Sequence, residues 1–353
     1  MSKVYRIKDI AAMSGVSTGT VDRILHNRGR VSEEAKRKVE KVLKEIDYHP
    51  NLIARSLALK KTFRFISIMP ACEKGDYWSH VYEGVSRAES ELYSYHVEVS
   101  RLTFDQFDQS SFEDMIPYIL ESECQGVIIG VPFADSVALL AAGLDKLNIP
   151  YVLVDVLVEN TNYLAYYGSH SFDSGYLAGR LLCEQIHKEE DIALFQFRRK
   201  GEGQSNQVQR RQAGFESYLK KQGYRGHFRV APLLATNEEA TQNLLDLFFD
   251  THAHIRSGII FNSRVYEVAN YIKKRPERSG FRLIGYDAIE KNIECLHDSI
   301  VSHLVGQRPE IQGYYCVRSL FRHLVLKEKI KKINYMPLDI LMKENIDYYN
   351  NYI

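Results

Sequence analysis

Two short helix-like segments on either side of a glycine decide the fold of this chain: residues 7–25 have the sequence IKDIAAMSGVSTGTVDRIL. Around Gly15, apolar residues recur at the i, i+3, i+4 spacing that gives a helix one buried face. They are Ile7, Ile10 and Ala11 before the glycine, and Val21, Ile24 and Leu25 after it. Ser17 can cap the second segment, because its oxygen can accept a backbone N–H that has no partner within the helix. The pattern predicts a helix-turn-helix.

The second helix would present its polar residues near its N-terminal end, which is the end that enters the DNA major groove in this motif. These residues are Ser17, Thr18, Gly19, Thr20, Asp22 and Arg23. For Arg23 we favour a bidentate contact with guanine O6 and N7, and a phosphate contact is the alternative. Asp22 could accept from a cytosine amine, or pair with His26 one turn later. We expect His26, Arg28 and Arg30 to contact phosphates, with a solvated loop as the alternative.

A third helix and a very short fourth one are predicted to follow. Ser32 can cap the third, acidic residues follow at its positive N-terminal end, and the helix should end before Pro50. Residues 51–59, NLIARSLAL, have the pattern of the fourth. Helices shorter than about 12–15 residues are marginal in water, so this one needs a partner to form. DNA is the natural candidate.

The charge is unevenly divided along the chain, although the net charge is only +1. Residues 1–62 contain 14 Lys or Arg against 7 Asp or Glu, a balance of +7, and the rest contains 32 against 38, a balance of −6. A basic small domain joined to a mildly acidic large one suits phosphate neutralisation at one end. Together with the helix-turn-helix pattern, the asymmetry predicts DNA binding.

Length and composition exclude several other classes of protein. A chain of 353 residues with 45% apolar content can form two or three globular domains. There is no apolar run near 18 residues and the first residues lack a signal-peptide core, so we expect a cytoplasmic protein. The five cysteines are far apart without paired spacing, which predicts neither a disulfide framework nor a zinc site. We expect no metal and no cofactor.

Residues 7–62 resemble the headpiece of the lactose-repressor (LacI/GalR) family of bacterial transcription regulators. The matching segments are Gly15-Val16-Ser17, Thr20-Val21 with Arg23, Asn27, Val31-Ser32, Tyr48-His49-Pro50-Asn51 and Ala54-Arg55-Ser56-Leu57. The resemblance implies that Asn27, Asn51, Ala54 and Arg55 also lie at the DNA, and that residues 51–62 form a hinge helix and linker. It further implies that the hinge helices of two subunits pair in the minor groove, where Leu57 is wedged between base steps.

From residue 63 onward, strands alternate with helices, which predicts a doubly wound parallel sheet. The predicted strands are 63–69, 95–102, 126–131, 151–155, 192–197, 228–231, 258–261 and 282–287. The predicted helices are 78–92, 112–122, 136–147, 174–185, 211–222, 238–249 and 265–273. Two such lobes resemble the type I periplasmic-binding-protein fold, which the same family uses as its effector domain. We therefore divide the chain into an all-α helix-turn-helix domain (1–50), the hinge (51–62) and a two-lobed α/β effector domain (63–353). The first lobe would comprise about 63–161 and 305–330, and the second about 162–304 and 331–348.

Ligands of open α/β sheets bind beyond the carboxyl ends of the strands, so residues that follow the strands should line a cleft between the lobes. By resemblance, five of them match effector contacts of the family: Asp155, Arg211, Asn262, Asp287 and Gln307. Carboxylates and amides can bridge adjacent hydroxyls, and arginine offers a planar fork of donors, which suits a polyhydroxylated ligand. Tyr77, Trp78 and Phe133 follow strands and could pack on a sugar ring. The sequence departs from the family pattern at Asn262-Ser263, where an aspartate usually follows the asparagine.

These features predict a dimeric, sequence-specific DNA-binding transcription regulator, a repressor, that a carbohydrate effector controls. Two-fold symmetry of a homodimer matches a palindromic operator. The alternatives are a cytoplasmic sugar-binding protein and a regulator that responds to a nucleobase or nucleoside. Pentoses, hexoses, uronates and nucleosides would all suit the cleft, and either release or recruitment by the effector is open. An enzyme is disfavoured, since we find no Gly-x-Ser-x-Gly elbow, no His-Glu-x-x-His and no phosphate loop.

Overall fold

The computed structural model describes residues 5–25, 29–46, 62–197, 205–234, 238–349 and 351. The chain divides into two compact units, Met1–Leu59 and Lys60–Ile353. Within the described part of the chain, no helix is long and apolar enough to cross a bilayer.

The N-terminal unit contains α1 (Ile7–Ser14), α2 (Thr18–Leu25) and α3 (Glu33–Glu45). Gly15 ends α1 at φ 68°, in the left-handed region that glycine adopts without steric cost. The predicted apolar stripes meet in one small core, whose fully buried members are Ile10, Ala11, Val21, Val39 and Val42. The helix-turn-helix is thus present, with a third helix closing its core.

Both predicted helix caps in this unit are confirmed. The Ser17 hydroxyl accepts a hydrogen bond from the Thr20 amide at 3.1 Å, and the Ser32 hydroxyl accepts one from the Ala35 amide at 3.3 Å. Each supplies a partner for an amide that the helix itself leaves unpaired. The start of α2, and therefore its register, is fixed by Ser17.

The second unit is built on two six-stranded sheets. The first sheet contains β1 (Phe63–Pro70), β2 (Val97–Phe104), β3 (Gly126–Ile129), β4 (Tyr151–Val154), β5 (Ala165–Gly168) and β11 (Ile333–Tyr335). The second contains β6 (Ile192–Phe197), β7 (Phe228–Leu233), β8 (Ser257–Ile260), β9 (Arg282–Tyr286), β10 (Val301–Gly306) and β12 (Asp339–Leu341). Their strand orders are β11-β5-β4-β3-β1-β2 and β12-β10-β9-β8-β6-β7. The pairing is parallel except for β12, which runs antiparallel to β10.

Helices cover both faces of each sheet, so that every sheet lies between two apolar layers. The first lobe has α4 (Tyr77–Glu91), α5 (Gln109–Glu113), α6 (Met115–Glu121), α7 (Ala134–Leu147) and α13 (Pro309–Leu324). The second has α8 (Ser171–Cys183), α9 (Asn206–Lys221), α10 (Glu238–Thr251), α11 (Val265–Lys273) and α12 (Glu290–His297). The predicted helix 112–122 is two short helices, α5 and α6.

The chain crosses between the lobes after β5, after β10, and between β11 and β12. This displaces the boundaries predicted near residues 162, 305 and 331. Four strands escaped the sequence analysis, namely β5, β10, β11 and β12. They are short or lie next to turns, and β5, Ala-Tyr-Tyr-Gly, has too few residues to show a periodic pattern. Because β5 belongs to the first sheet, that lobe extends to Gly168 before the first crossing.

Candidate functional site

The exposed face of α2 contains the predicted DNA-reading residues. Ser17, Thr18, Gly19 and Arg23 are exposed, and Thr20 and Asp22 are half-buried. Arg23 forms no ion pair with any described residue, so its guanidinium is free to meet a base or a phosphate. The arrangement places polar side chains along one side of α2 while Val21 anchors the other side in the core.

Several predicted DNA contacts lie outside the described residues. They are His26, Asn27, Arg28, Asn51, Ala54, Arg55 and Leu57. The hinge helix and the leucine wedge therefore remain predictions from the resemblance.

A cleft of about 530 Å³ opens between the two lobes of the second unit, at the carboxyl ends of the strands. Seven of the eight residues predicted to bind the effector line it: Tyr77, Trp78, Asp155, Arg211, Asn262, Asp287 and Gln307. Each follows a strand or lies in the first two turns of the helix after one, which is where a doubly wound sheet collects its polar groups. The strand ends and the resemblance to the family together predicted these positions.

Two buried aspartates form the floor of the cleft. Asp155 follows β4 and Asp287 follows β9, and both adopt left-handed backbone conformations, at φ 64° and φ 69°. A residue other than glycine is uncommon in this region, where asparagine and aspartate are enriched, and such residues concentrate at functional sites. The turn sends each carboxyl group into the cleft at the point where its strand ends.

Each carboxyl group is held through one of its two oxygens. Oδ1 of Asp155 accepts hydrogen bonds from Tyr77 Oη at 2.9 Å and from Gln207 Nε2 at 2.7 Å. Oδ1 of Asp287 accepts one from Gln307 Nε2 at 2.8 Å. None of the described residues donates to Oδ2 of either aspartate. Two acceptor oxygens therefore remain available to a ligand.

Arg211 lies between these groups with only 2% of its surface exposed. Nη1 donates to the Phe261 carbonyl at 2.7 Å, Nη2 donates to Gln307 Oε1 at 2.5 Å, and the guanidinium lies 4.3 Å from the centre of the Tyr286 ring. Its Nε–H is buried and has no hydrogen-bond partner among the described residues. An unsatisfied buried donor is costly, and a ligand acceptor would relieve it.

A glycine in α8 allows Arg211 to reach this position. A Cβ atom at Gly175 would lie 1.8 Å from the Arg211 carbonyl oxygen, so that any larger residue would push α9 away from α8. The close packing of the two helices sets the depth at which the guanidinium enters the cleft.

Burial dominates the electrostatics of the two aspartates. Loss of solvation raises the pKa of Asp287 to about 7 from an ordinary value of 3.8, although Arg211 and the hydrogen bond from Gln307 oppose the shift. Burial also raises the pKa of Asp155, against the opposing effects of Arg211, Gln207 and Tyr77. The cleft floor therefore holds two carboxyl groups and one arginine, and Asp287 titrates near neutral pH.

Contacts from α9 reach across the cleft to the first lobe. Gln207 Nε2 donates both to Oδ1 of Asp155 and, at 3.2 Å, to its carbonyl oxygen. Arg210 Nη2 lies 2.8 Å from Glu159 Oε1. The first turns of α9 thus join the two lobes directly.

Aromatic rings line the walls of the cleft. Trp78 is almost fully buried, packs edge-on against Tyr77 with ring centroids 5.3 Å apart, and lies over Gly130, where a Cβ would be 2.7 Å from its ring. Phe107 and Phe197 approach each other from opposite lobes with centroids 6.4 Å apart. A sugar ring or a flat heterocycle could pack against such surfaces.

Phe133 corrects one of the predictions, because its ring does not line the cleft. It is buried in the first-lobe core with its centroid 6.1 Å from that of Phe104, and Pro132 lines the cleft instead. Phe133 is the N-cap of α7, and the turn into the helix directs its side chain beneath the sheet edge.

Several residues of the site escaped the sequence analysis. Gln207 precedes Arg211 by four residues, the spacing that places two side chains on one helix face, so this signal was present. Ser169 donates to Gln307 Oε1 at 2.7 Å, but it follows the unpredicted strand β5. Asn292 is fully buried and donates to the carbonyls of Ser263 and Asp287, at 2.8 and 2.9 Å. No pattern in the sequence indicates this role for Asn292. Asn262 holds the neighbouring turn by accepting the Arg264 amide at 2.9 Å.

The cleft offers hydrogen-bond acceptors, hydrogen-bond donors and aromatic walls. No cluster of three His, Cys, Asp or Glu that could hold a metal ion occurs within the described ranges. The arrangement suits recognition of a hydroxyl-rich molecule by carboxylate acceptors and an arginine fork.

Comparisons with known proteins agree with both halves of the chain. Residues 6–51 match the family model described as bacterial regulatory proteins, lacI family, and residues 66–329 match the model described as periplasmic binding protein domain. A solved structure from Bacteroides fragilis, assigned to the LacI transcriptional regulators, is 32% identical, covers 82% of this chain and 100% of its own, and superposes with a TM-score of 0.78.

The curated relatives match over shorter stretches. The HTH-type transcriptional repressor PurR of Pectobacterium carotovorum is 28% identical over 185 residues, 52% of this chain and 52% of its own. The HTH-type transcriptional regulator MalR of Streptococcus pneumoniae is 39% identical over 89 residues, 24% of this chain and 27% of its own. The matched part of the chain thus spans about half the length of the first of these relatives, and less of the second.

Proposed function

The chain belongs to the lacI family of bacterial regulatory proteins. From this premise we propose that it is a DNA-binding transcription regulator that acts as a repressor. Its affinity for the operator is controlled by a carbohydrate that binds in the cleft. One observation carries the proposal. The chain contains both an exposed recognition helix and a cleft floor where Asp155, Asp287 and Arg211 offer hydrogen-bonding groups that no described residue uses. The relatives named above are regulators rather than enzymes.

The regulator acts in the cytoplasm as a homodimer on a palindromic operator. Two subunits are needed because a single recognition helix and a single short hinge helix bind weakly, and a two-fold axis matches inverted half-sites. Arg23 reads a guanine, and Leu57 intercalates from the hinge. Binding of the effector changes the equilibrium between lobe arrangements, and by linkage DNA changes the affinity for the effector by the same factor.

The hydroxyl-rich class is favoured because Oδ2 of both aspartates accepts no hydrogen bond from the described residues. Each oxygen can accept from one of two adjacent hydroxyls, while the unpaired Nε–H of Arg211 donates to a third oxygen. The rings of Tyr77 and Trp78 then cover the apolar face of the sugar.

Two measurements on the full chain test the proposal. The first is a mobility-shift assay on genomic fragments, with and without a panel of pentoses, hexoses and uronates. The second is the fluorescence of Trp78, the one tryptophan of the sequence, during titration with the same panel. We expect a retarded fragment and one sugar class that changes both the shift and the fluorescence. A protein that binds sugar but retards no fragment would instead be a sugar-binding protein, and turnover of the sugar would reveal an enzyme.

A nucleobase or nucleoside is the second candidate for the effector. It is favoured by the aromatic walls formed by Tyr77, Trp78 and Phe107, against which a planar base can pack. Nucleobases and nucleosides therefore belong in the same titration. Saturable binding of a base, without any response to sugars, would replace the carbohydrate in the proposal and leave the DNA-binding part intact.

A further inference from the structure

A second cavity adjoins the cleft in the second lobe. This side chamber has a volume of about 310 Å³ and lies between α10 and α11. Its wall includes Glu238, Gln242, Glu267 and Asn270, and it shares Arg264, Tyr266 and Lys291 with the cleft. The two cavities therefore share one boundary, here called the junction, which is formed by two basic residues and a tyrosine.

The junction is held rigidly and is tied to the cleft floor. Arg264 donates through Nε to Glu267 Oε1 at 2.5 Å, and its guanidinium lies 4.6 Å from the centre of the Phe197 ring. The Tyr266 amide donates to Asn292 Oδ1 at 3.1 Å, and the same Asn292 donates to the Asp287 carbonyl. A ligand that reaches from Asp287 to the junction would meet groups already in place, which lowers the entropy cost of binding.

The chamber wall has spare hydrogen-bonding capacity. Gln242 uses Nε2 to donate to Glu238 Oε1 at 3.1 Å, and no described residue donates to its Oε1. The amide of Asn270 meets only the Cys295 sulfur, at 3.9 Å, within the described residues. Lys291 Nζ lies 5.0 Å from the centre of the Tyr266 ring and forms no ion pair with a described carboxylate. Amides with free donors and acceptors beside an aromatic ring suit sugar hydroxyls.

The charges of the chamber select a neutral occupant. Arg264 and Lys291 are matched by Glu238 and Glu267, so the wall carries two positive and two negative side chains. A phosphate or carboxylate would meet two carboxylates along with the two cations. A neutral, hydroxyl-rich unit avoids that repulsion.

We infer that the effector is a neutral carbohydrate of at least two rings, with one ring on Asp155, Asp287 and Arg211 and the next ring extending past Arg264 into the side chamber. The inference rests on the proposed function, because it assumes a carbohydrate in the cleft. It assigns Gln242 and Asn270 as specificity-determining residues that contact only the second ring.

Calorimetric titration of the full chain with matched neutral sugars tests the inference. The probes are D-glucose, D-galactose, D-mannose and D-xylose, each compared with its 1,4-linked disaccharides. We expect at least one disaccharide to bind about tenfold or more tightly than its single-ring unit. Gln242→Ala should weaken the disaccharide about fivefold, the loss of one hydrogen bond, and Asn270→Trp, which fills the chamber, should weaken it more than tenfold. Single-ring binding should remain within twofold in both variants.

The control is Asn243→Ala, a change of an exposed amide next to Gln242 that does not line the chamber. It should leave every affinity unchanged. Equal affinities for one-ring and two-ring sugars, with both variants silent, would overturn the inference and leave the proposed function standing. If no sugar binds but the protein still retards an operator fragment, the carbohydrate part of the proposed function fails and the inference fails with it.

Discussion

Replacement of Arg211 by methionine should destabilise the effector domain, and the loss should grow with pH. Methionine keeps much of the side-chain volume, but it removes the donors to the Phe261 carbonyl and Gln307 Oε1, both buried. Gln307 Oε1 keeps its hydrogen bond from Ser169, whereas the Phe261 carbonyl loses its donor, which costs about 1–3 kcal/mol at any pH. The free energy of unfolding falls further at pH values where Asp287 ionises, because Arg211 no longer stabilises the ionised carboxylate.

The sign of the pH effect follows from the pKa of Asp287. At pH 5 this carboxyl group, with its pKa of about 7, is mostly protonated in the folded protein, so the positive charge of Arg211 contributes little. At pH 8 it is mostly ionised but only one pH unit above its pKa, so the lost interaction with Arg211 adds at most about 1.4 kcal/mol at this pH. The difference in unfolding free energy between Arg211→Met and the parent should therefore be larger at pH 8 than at pH 5.

The assay is urea denaturation followed by circular dichroism at pH 5 and pH 8, with linear extrapolation to zero urea. Arg210→Met is the matched control, because Arg210 pairs with Glu159 at the surface, where the two side chains are 43% and 61% exposed. It should cost less than about 1 kcal/mol at both pH values. Equal losses at pH 5 and pH 8 for Arg211→Met would refute the coupling to Asp287 and reduce the arginine to a packing and hydrogen-bonding role.

Three further predictions concern Asp287 itself, Leu57 and Phe133. The raised pKa of Asp287 means that the unfolded chain releases this proton at lower pH than the folded one, so the stability of the effector-free protein should fall as the pH rises from about 4 through 7. In Asp287→Asn this part of the pH dependence should disappear from thermal melts, and a persisting slope would assign it elsewhere. Leu57→Ala should weaken operator binding, measured by mobility shift, by more than tenfold, and the melting temperature should not change. Unchanged operator affinity would exclude intercalation. Phe133→Ala should lower the free energy of unfolding by about 3–5 kcal/mol through the cavity it leaves. Effector affinity measured by calorimetry should not change. A loss of affinity without a loss of stability would show that Phe133 contacts the effector.

The cleft was predictable because strand ends are visible in the sequence. The runs that end at Val154, Ile260 and Tyr286 are mostly apolar and, apart from the half-buried Arg282, buried. The polar residues that follow them, Asp155 among them, therefore had to lie at the sheet edge. The depth of Arg211 was not predictable. It depends on the close contact of α9 with Gly175, which comes from a different part of the chain.

The incorrect and missed predictions concern residues whose positions depend on short elements or on contacts with distant parts of the chain. Phe133 lies four residues beyond the end of β3, at the N-cap of α7, and its ring packs into the first-lobe core. Ser169 was missed with the four-residue strand β5, whose pairing depends on its neighbours β4 and β11 rather than on its own pattern. The resemblance carried the headpiece assignments, because an eight-residue helix such as α2 has little signal of its own.

The strand orders of the two sheets imply that the effector domain is a duplicated half. Read from β2 and from β7, the two sheets have the same strand order, and they differ only in the direction of the last strand, which is parallel for β11 and antiparallel for β12. Asp155 after β4 corresponds to Asp287 after β9, each in the same left-handed backbone conformation. A site with this pseudo-two-fold symmetry could hold a ligand in either of two orientations. Arg211 breaks the equivalence, since the helix that follows β6 supplies this arginine while the corresponding helix after β1 supplies Tyr77 at its start. An effector that accepts the Nε–H of Arg211, which has no partner among the described residues, would be restricted to one of these two orientations.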